Sequence, residues 1–229
     1  MNKLKIPKLT IKETALLMTS AFVLIISFVI SKSNILYLIA SLVGLVALMY
    51  MAKGEPLGQI LTILFSILYA VISYRFRYYG EMITYLFMTL PSALIATIVW
   101  YKNPYSNQGT VVKVSKLSSI KIMLIIVLTP VVTILFYYIL KALSTPNLFI
   151  STVSIATSFL ASILTFFRSR HYAFFYAMND IVLITLWTLA TLTSLAFFPM
   201  IICFVFFFIH DLYAFFNWKK LELQQQTSN

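Results

Sequence analysis

The chain has 229 residues, of which 61% are hydrophobic and only 10% charged, with a mean hydropathy of +0.95. That is too apolar for a soluble domain and fits an all-α, polytopic membrane protein. The formal net charge of +11 comes from short basic clusters between apolar runs, with no aromatic-interleaved patch, so membrane orientation explains it and a nucleic-acid partner is excluded. The long continuous runs lack the alternation of a transmembrane barrel, and no glycine-rich phosphate loop or soluble segment is available for an ATPase.

Eight spans are predicted in chain order: Thr14 to Ser31, Ile35 to Ala52, Leu57 to Tyr74, Met82 to Tyr101, Ile120 to Leu140, Leu148 to Phe167, Tyr172 to Ala190 and Ser194 to Phe216. Each is long enough to cross about 30 Å of hydrocarbon at about 1.5 Å per residue. The first follows a basic stretch, but no small-residue cleavage site precedes Lys32, so an uncleaved helix is expected.

Basic residues divide unevenly between the two sides. With the N-terminus and the even-numbered loops together, one side holds Lys3, Lys5, Lys8, Lys12, Lys53, Lys102, Lys113, Lys116, Lys121, Arg168, Arg170, Lys219 and Lys220. The other keeps Lys32, Arg75, Arg77 and Lys141. The positive-inside rule then predicts cytoplasmic termini and a cytoplasmic loop between Tyr101 and Lys121. That loop, polar and rich in Ser and turn formers, reads as the joint between two halves. Arg75-Phe76-Arg77-Tyr78-Tyr79 and Arg168-Ser169-Arg170-His171-Tyr172 each close one run and open the next, while Trp100-Tyr101-Lys102 and Trp218-Lys219-Lys220 end the halves. This is a faint internal repeat, and the same residues also suit simple interface anchoring.

Asn179 and Asp180 lie side by side inside a membrane-length segment, Arg168 to Trp187. Placing an ionisable side chain near the bilayer centre costs roughly 2.5 to 3.5 kcal/mol on insertion scales, so such a pair marks a bundle interior or a watery path. On a helix Asp180, Ile184, Trp187 and Thr191 share a stripe, and Phe175 lies one turn before Asn179 as a possible ring clamp. Asp211, Phe215 and Trp218 share a stripe of the last span, next to His210 and Asn217. A carboxylate within an aromatic cage suits a flat cationic ligand. The alternative is that Asn179, Asp180 and Asp211 only hold helices together by hydrogen bonds worth on the order of 1 kcal/mol. Glu81 reads as a helix terminus at the outer interface, and Cys203 as a small buried hydrophobe. With one Cys and two isolated His residues, no metal site, cofactor or catalytic cluster is expected.

These residues carry a resemblance to the PnuC family of bacterial vitamin transporters, whose best-known members carry nicotinamide riboside. It covers roughly Ile35 to Lys220 and is strongest in YAFFYAMNDIVLITLW (Tyr172 to Trp187) and FFFIHDLYAFFNWKK (Phe206 to Lys220), with support from RFRYYGEM and LPSALIATIVWYKN. The resemblance implies two three-helix repeats joined by a linker helix, as in SWEET sugar transporters, plus an extra N-terminal helix and a trimeric assembly. The implied divisions are 1–33, 34–103, 104–146, 147–220 and a polar tail 221–229. It further implies facilitated uptake of a vitamin or nucleoside across the bacterial inner membrane, trapped by a cytosolic kinase. Thiamine, riboflavin or a deoxynucleoside, or a proton-coupled import through Asp180 or Asp211, is the alternative. The family's stacking aromatic and its Asn fall on Phe175 and Asn179. Its polar amide in the first half falls on Tyr85, or on Ser92 and Ala93 after Pro91. The expected substrate-binding set is Asn179, Phe175, Asp180, Asp211, Tyr85, Tyr176, Phe204 and His210.

Overall fold

In the computed structural model, which describes residues 8–106 and 109–227, α1 (Ile11–Ser31), α2 (Ile35–Ala52) and α3 (Pro56–Arg75) run up and down in sequence. The next span, Tyr79–Lys102, is one rod made of α4 (Tyr79–Thr84), a π-helical turn (Tyr85–Thr89) and α5 (Leu90–Lys102). Then follow α6 (Ser119–Ala142), α7 (Leu148–Phe166), α8 (Tyr172–Thr191), a 3-10 turn (Leu195–Phe197) and α9 (Phe198–Thr227). All eight rods are long and apolar enough to cross a membrane, and the protein is a multi-pass, all-helical membrane protein. Lys3 and Lys5 of the basic N-terminus lie outside the described residues.

Local chemistry sets the helix ends. Thr10 and Glu13 form a capping box at the start of α1: the Glu13 amide donates to Thr10 Oγ1 at 3.3 Å, and the Thr10 amide donates to Glu13 Oε2 at 2.6 Å. Asn34 caps α2 through the Leu36 amide at 2.8 Å, and Pro56 opens α3, where its missing N–H costs nothing. The π-turn precedes Pro91. Proline cannot donate to the previous turn and its ring crowds the carbonyl four residues back, so one wider turn accommodates it.

α9 differs from its expected bounds: it continues past Phe216 through the polar stretch expected as a tail. That extension is anchored. Arg170 pairs with Glu222 at 2.8 Å, and the Gln225 side chain accepts from the Val114 amide (2.8 Å) and donates to the Val112 carbonyl (3.1 Å).

Packing closes a bundle. α8 lies between α7 and α9, α2 between α3 and α9, and α5 bridges α3 to α7, while α1 rests on α2 and α9. α6 packs against α7 and buries only Ile125 and Leu140, leaving an apolar surface that includes Ile126, Val131, Ile134 and Leu135. The Arg-rich turns after α3 and α7 share a C-cap geometry, with Arg77 and Arg168 both left-handed (φ 57 and 55). They sit at opposite ends of the bundle, since an odd number of spans separates them. Their likeness is therefore a shared turn rather than an equivalence between repeats running in one direction. Trp100 and Trp218 do meet at one end, with ring centroids 5.3 Å apart.

Candidate functional site

Five elements enclose a cavity midway along the bundle, with an empty volume of ≈ 440 Å³ of which only ≈ 40 Å³ can hold the centre of a water molecule. α2 supplies Gly44, Ala47, Leu48 and Met51, α3 supplies Thr62 and Phe65, and the π-turn supplies Tyr85 and Thr89. Tyr176, Asn179 and Asp180 come from α8, and Phe207 and Asp211 from α9. Gly44 lets α9 come close, because a Cβ there would collide with the Phe207 ring.

The polar groups gather on one wall. Asn179, 2% exposed, meets the Ser154 hydroxyl at 3.1 Å and the Thr157 hydroxyl at 2.8 Å, both on α7. Asp180 and Asp211 approach each other carboxyl to carboxyl from neighbouring helices. One oxygen of each, Asp180 Oδ2 and Asp211 Oδ1, has no protein donor. No Lys, Arg or His side chain lines the cavity among the described residues, so nothing basic offsets this pair. Aromatic rings line the cavity as well. Phe65 meets Tyr85 edge-on at 5.6 Å and Phe207 at 5.4 Å, and Tyr69 and Phe204 brace these rings from behind.

Of the eight expected binding residues, Asn179, Asp180, Asp211, Tyr85 and Tyr176 line this cavity, and Phe175, Phe204 and His210 do not. Helix geometry accounts for Phe175. At about 100° per residue Tyr176 lies between the directions of Asn179 and Asp180, whereas Phe175 is turned to the far side of Asn179. There it is half-buried, packed with Phe174 at 5.5 Å near the end of the bundle. Phe204 is fully buried among Tyr69 and Phe207, and His210 places Nδ1 2.8 Å from the Phe206 carbonyl of its own helix. Ser92 faces a separate groove with Phe159 and Ser162. Glu81, expected as a helix terminus near the outer interface, is 2% exposed, close to Ser154 and Tyr69. Gly80 beside it permits the close approach to α6 and α7, its neighbours being Leu140 of α6 and Ser151 of α7.

Contacts tie the helices at both ends of the bundle. At the end holding Arg75 and Arg77, Trp187 donates its indole N–H to the Tyr69 hydroxyl at 2.8 Å, and Phe76 packs edge-on against Trp187 at 5.5 Å and against Phe197 at 4.5 Å. At the other end the Met51 carbonyl accepts from Trp218 Nε1 (2.9 Å) and the Tyr172 hydroxyl (3.1 Å), and the Ala52 carbonyl accepts from Asn217 (2.8 Å). The 103–118 loop straps this end. The Val112 amide donates to Gly54, and Thr110 donates to the buried Glu55 carboxylate at 2.6 Å. Burial pushes Glu55 above the usual carboxylate range, while the Thr110 bond and the Lys53 charge pull it down.

A family model described as the nicotinamide mononucleotide transporter matches residues 34–220. The chain belongs to this family. Among curated members, the nicotinamide riboside transporter PnuC of Neisseria mucosa is 24% identical over 201 residues, covering 85% of this chain and 75% of its own length. The Haemophilus influenzae protein of the same name is 26% identical over 196 residues, covering 85% and 84%. A crystal structure of a vitamin B3 transporter PnuC superposes with a TM-score of 0.80 at 22% identity, covering 95% of this chain and 94% of that one. The eight-span fold is thus that of a PnuC transporter, and the resemblance read from Tyr172 to Trp187 and Phe206 to Lys220 falls within the matched region. α1 precedes that region.

Proposed function

We propose that this protein is a facilitator for the uptake of nicotinamide riboside or a closely related vitamin across a bacterial inner membrane, with both termini cytoplasmic, and that it catalyses no reaction. The observation that carries this reading is the unbalanced cavity: an Asn amide and two carboxyl groups facing aromatic rings, with no basic side chain lining it among the described residues. A pyridinium nucleoside fits that chemistry. Its flat cationic ring is attracted by aromatic faces and by the carboxyls, and its hydroxyl and amide groups find hydrogen-bonding partners.

The family description names a mononucleotide, and the two relatives are named for the riboside. The cavity chemistry favours the riboside, because a phosphate monoester would bring about two negative charges beside Asp180 and Asp211 with no cation to receive them. Uptake becomes one-way once a cytosolic kinase adds that phosphate, since the product no longer suits the cavity. A homotrimer in the membrane, formed by two three-helix repeats and their linker in each protomer, completes the proposal.

The closed cavity is smaller than the ~300 Å³ or more typical of ligand pockets when judged by the room open to water. The bundle therefore widens to admit a nucleoside, and the seals at Trp187 and Trp218 are the contacts that part. Thermal unfolding of the purified protein tests the assignment: nicotinamide riboside raises the transition temperature and the mononucleotide at equal concentration does not. Stabilisation by the mononucleotide alone contradicts it.

The unpartnered oxygens of Asp180 and Asp211 favour a second reading, proton-coupled import of thiamine, riboflavin or a deoxynucleoside. Uptake into proteoliposomes that collapses with an uncoupler, without any kinase present, selects that reading.

A further inference from the structure

At the strapped end of the bundle, the first turn of α1 and the later turns of α9 leave a groove that offers ≈ 770 Å³ to the centres of water molecules, against ≈ 40 Å³ in the central cavity. It is open in the fold as it stands. Ile11 and Lys12 line it from α1, Lys53 from the C-cap of α2, and Phe216 and Lys220 from α9. Glu13 is the one acidic side chain among its described lining residues, and that charge is already neutralised. Glu13 Oε1 accepts from the Tyr213 hydroxyl at 2.7 Å and from Lys53 Nζ at 3.0 Å, and Oε2 accepts from Lys53 Nζ at 2.8 Å and from the Thr10 amide at 2.6 Å. Four bonds fill the carboxylate. Lys12 and Lys220 are exposed and form no ion pair among the described residues, so the groove keeps two uncompensated positive charges.

The groove is also apolar. Ile11 is 89% exposed and Phe216 64% exposed. On α9 the apolar run ends at Phe216 and is followed by Asn217, Lys219 and Lys220, while on α1 Lys12 precedes an apolar run that starts at Ala15. The Tyr213–Glu13 bond sets these two boundaries side by side, which puts the groove where hydrocarbon gives way to headgroups. A free phosphate would use the lysines and leave Ile11 and Phe216 uncovered. A phospholipid uses both.

We propose that this groove binds an anionic phospholipid, with Lys12 and Lys220 receiving the headgroup phosphate and the start of an acyl chain covering Ile11 and Phe216. A zwitterionic lipid carries its own cation to the lysines, so the preference for an anionic headgroup follows from the same charges. Half of the site comes from α1, which precedes the residues that the family model matches. The bound lipid joins α1 to α9 beside the Glu13 bonds, and the site is independent of which ligand the central cavity takes.

Native mass spectrometry of the full chain, purified in detergent, tests the site with dioleoylphosphatidylglycerol and dioleoylphosphatidylcholine as probes. The wild type binds the phosphatidylglycerol at least tenfold more tightly. Lys12→Gln/Lys220→Gln, which alters two exposed side chains outside the central cavity, weakens phosphatidylglycerol binding about 25-fold, about fivefold for each charge removed, and leaves phosphatidylcholine binding unchanged. Lys113→Gln/Lys219→Gln removes the same net charge at the same end from residues that do not line the groove, and stays within about threefold of the wild type. Equal binding of the two lipids by the wild type, equal losses in the two double variants, or wild-type affinity in Lys12→Gln/Lys220→Gln overturns the proposal. Displacement of the lipid by inorganic phosphate at equal concentration overturns it too, because the apolar half of the groove then contributes nothing.

Discussion

Trp218 of α9 donates its indole N–H to the carbonyl oxygen of Met51, in the last turn of α2, at 2.9 Å. The bond ties the two helices that flank the cavity at the end strapped by the 103–118 loop, and Tyr172 from α8 reinforces it on the same carbonyl. Trp218→Phe preserves an aromatic ring against Trp100 but removes the donor. We expect a loss of about 1 kcal/mol of stability, read as a lower unfolding temperature in detergent, and faster ligand exchange because the seal opens more readily. An unchanged unfolding temperature and exchange rate would show that the bond does not hold this end shut.

Tyr176 lines the cavity and Phe175 does not, so we propose that a ligand ring stacks on Tyr176. Tyr176→Ala is expected to weaken nicotinamide riboside binding by about 1 to 3 kcal/mol, the range for losing one stacked aromatic, with a smaller effect for Phe175→Ala. Equilibrium binding on the two variants distinguishes them, and the reverse ranking would move the ligand to the other side of Asn179.

Glu55 gives the strapped end a pH dependence of definite sign. Its folded-state pKa lies above the ordinary 4.5, so the folded protein holds its proton to higher pH than the unfolded chain does. The stabilisation is fully present below the unfolded value and is lost as pH rises through the folded one. Compared with Glu55→Gln, the wild type should therefore gain unfolding temperature as pH falls from 7 towards about 4.5. Parallel profiles for the two proteins would remove Glu55 from the account.

The proposed orientation rests on the basic clusters. A cysteine introduced at Ser115, in the loop that straps the Met51 end, is expected to resist an impermeant thiol reagent added outside intact cells and to react once the membrane is opened. Labelling from outside would invert the topology. Native Cys203 is buried and does not compete for the reagent.

Spans were legible because hydropathy over about 20 residues is a strong signal and needs no tertiary information. Asn179, Asp180 and Asp211 stood out because polar groups at that depth are rare. Aromatic residues gave no such contrast. Phe204 and Phe207 are three residues apart in one Phe-rich run, yet Phe207 lines the cavity and Phe204 braces it, a choice made by how α9 packs on α2 and α3. Phe65 and Gly44 were missed for the same reason, although a glycine in mid-span was a cue to close helix approach. Glu81 read as a helix terminus at the outer interface. Its burial depends on α4 meeting α7, which no local pattern reveals.

Whether the cavity at Asn179 binds nicotinamide riboside is decided by titration calorimetry on the wild type and Asn179→Leu. We expect saturable binding by the wild type and a loss of about 1 to 3 kcal/mol in the variant, roughly 5- to 150-fold in Kd, because a ligand hydroxyl or amide is left unpaired in the site. Binding of equal strength by both proteins would contradict it.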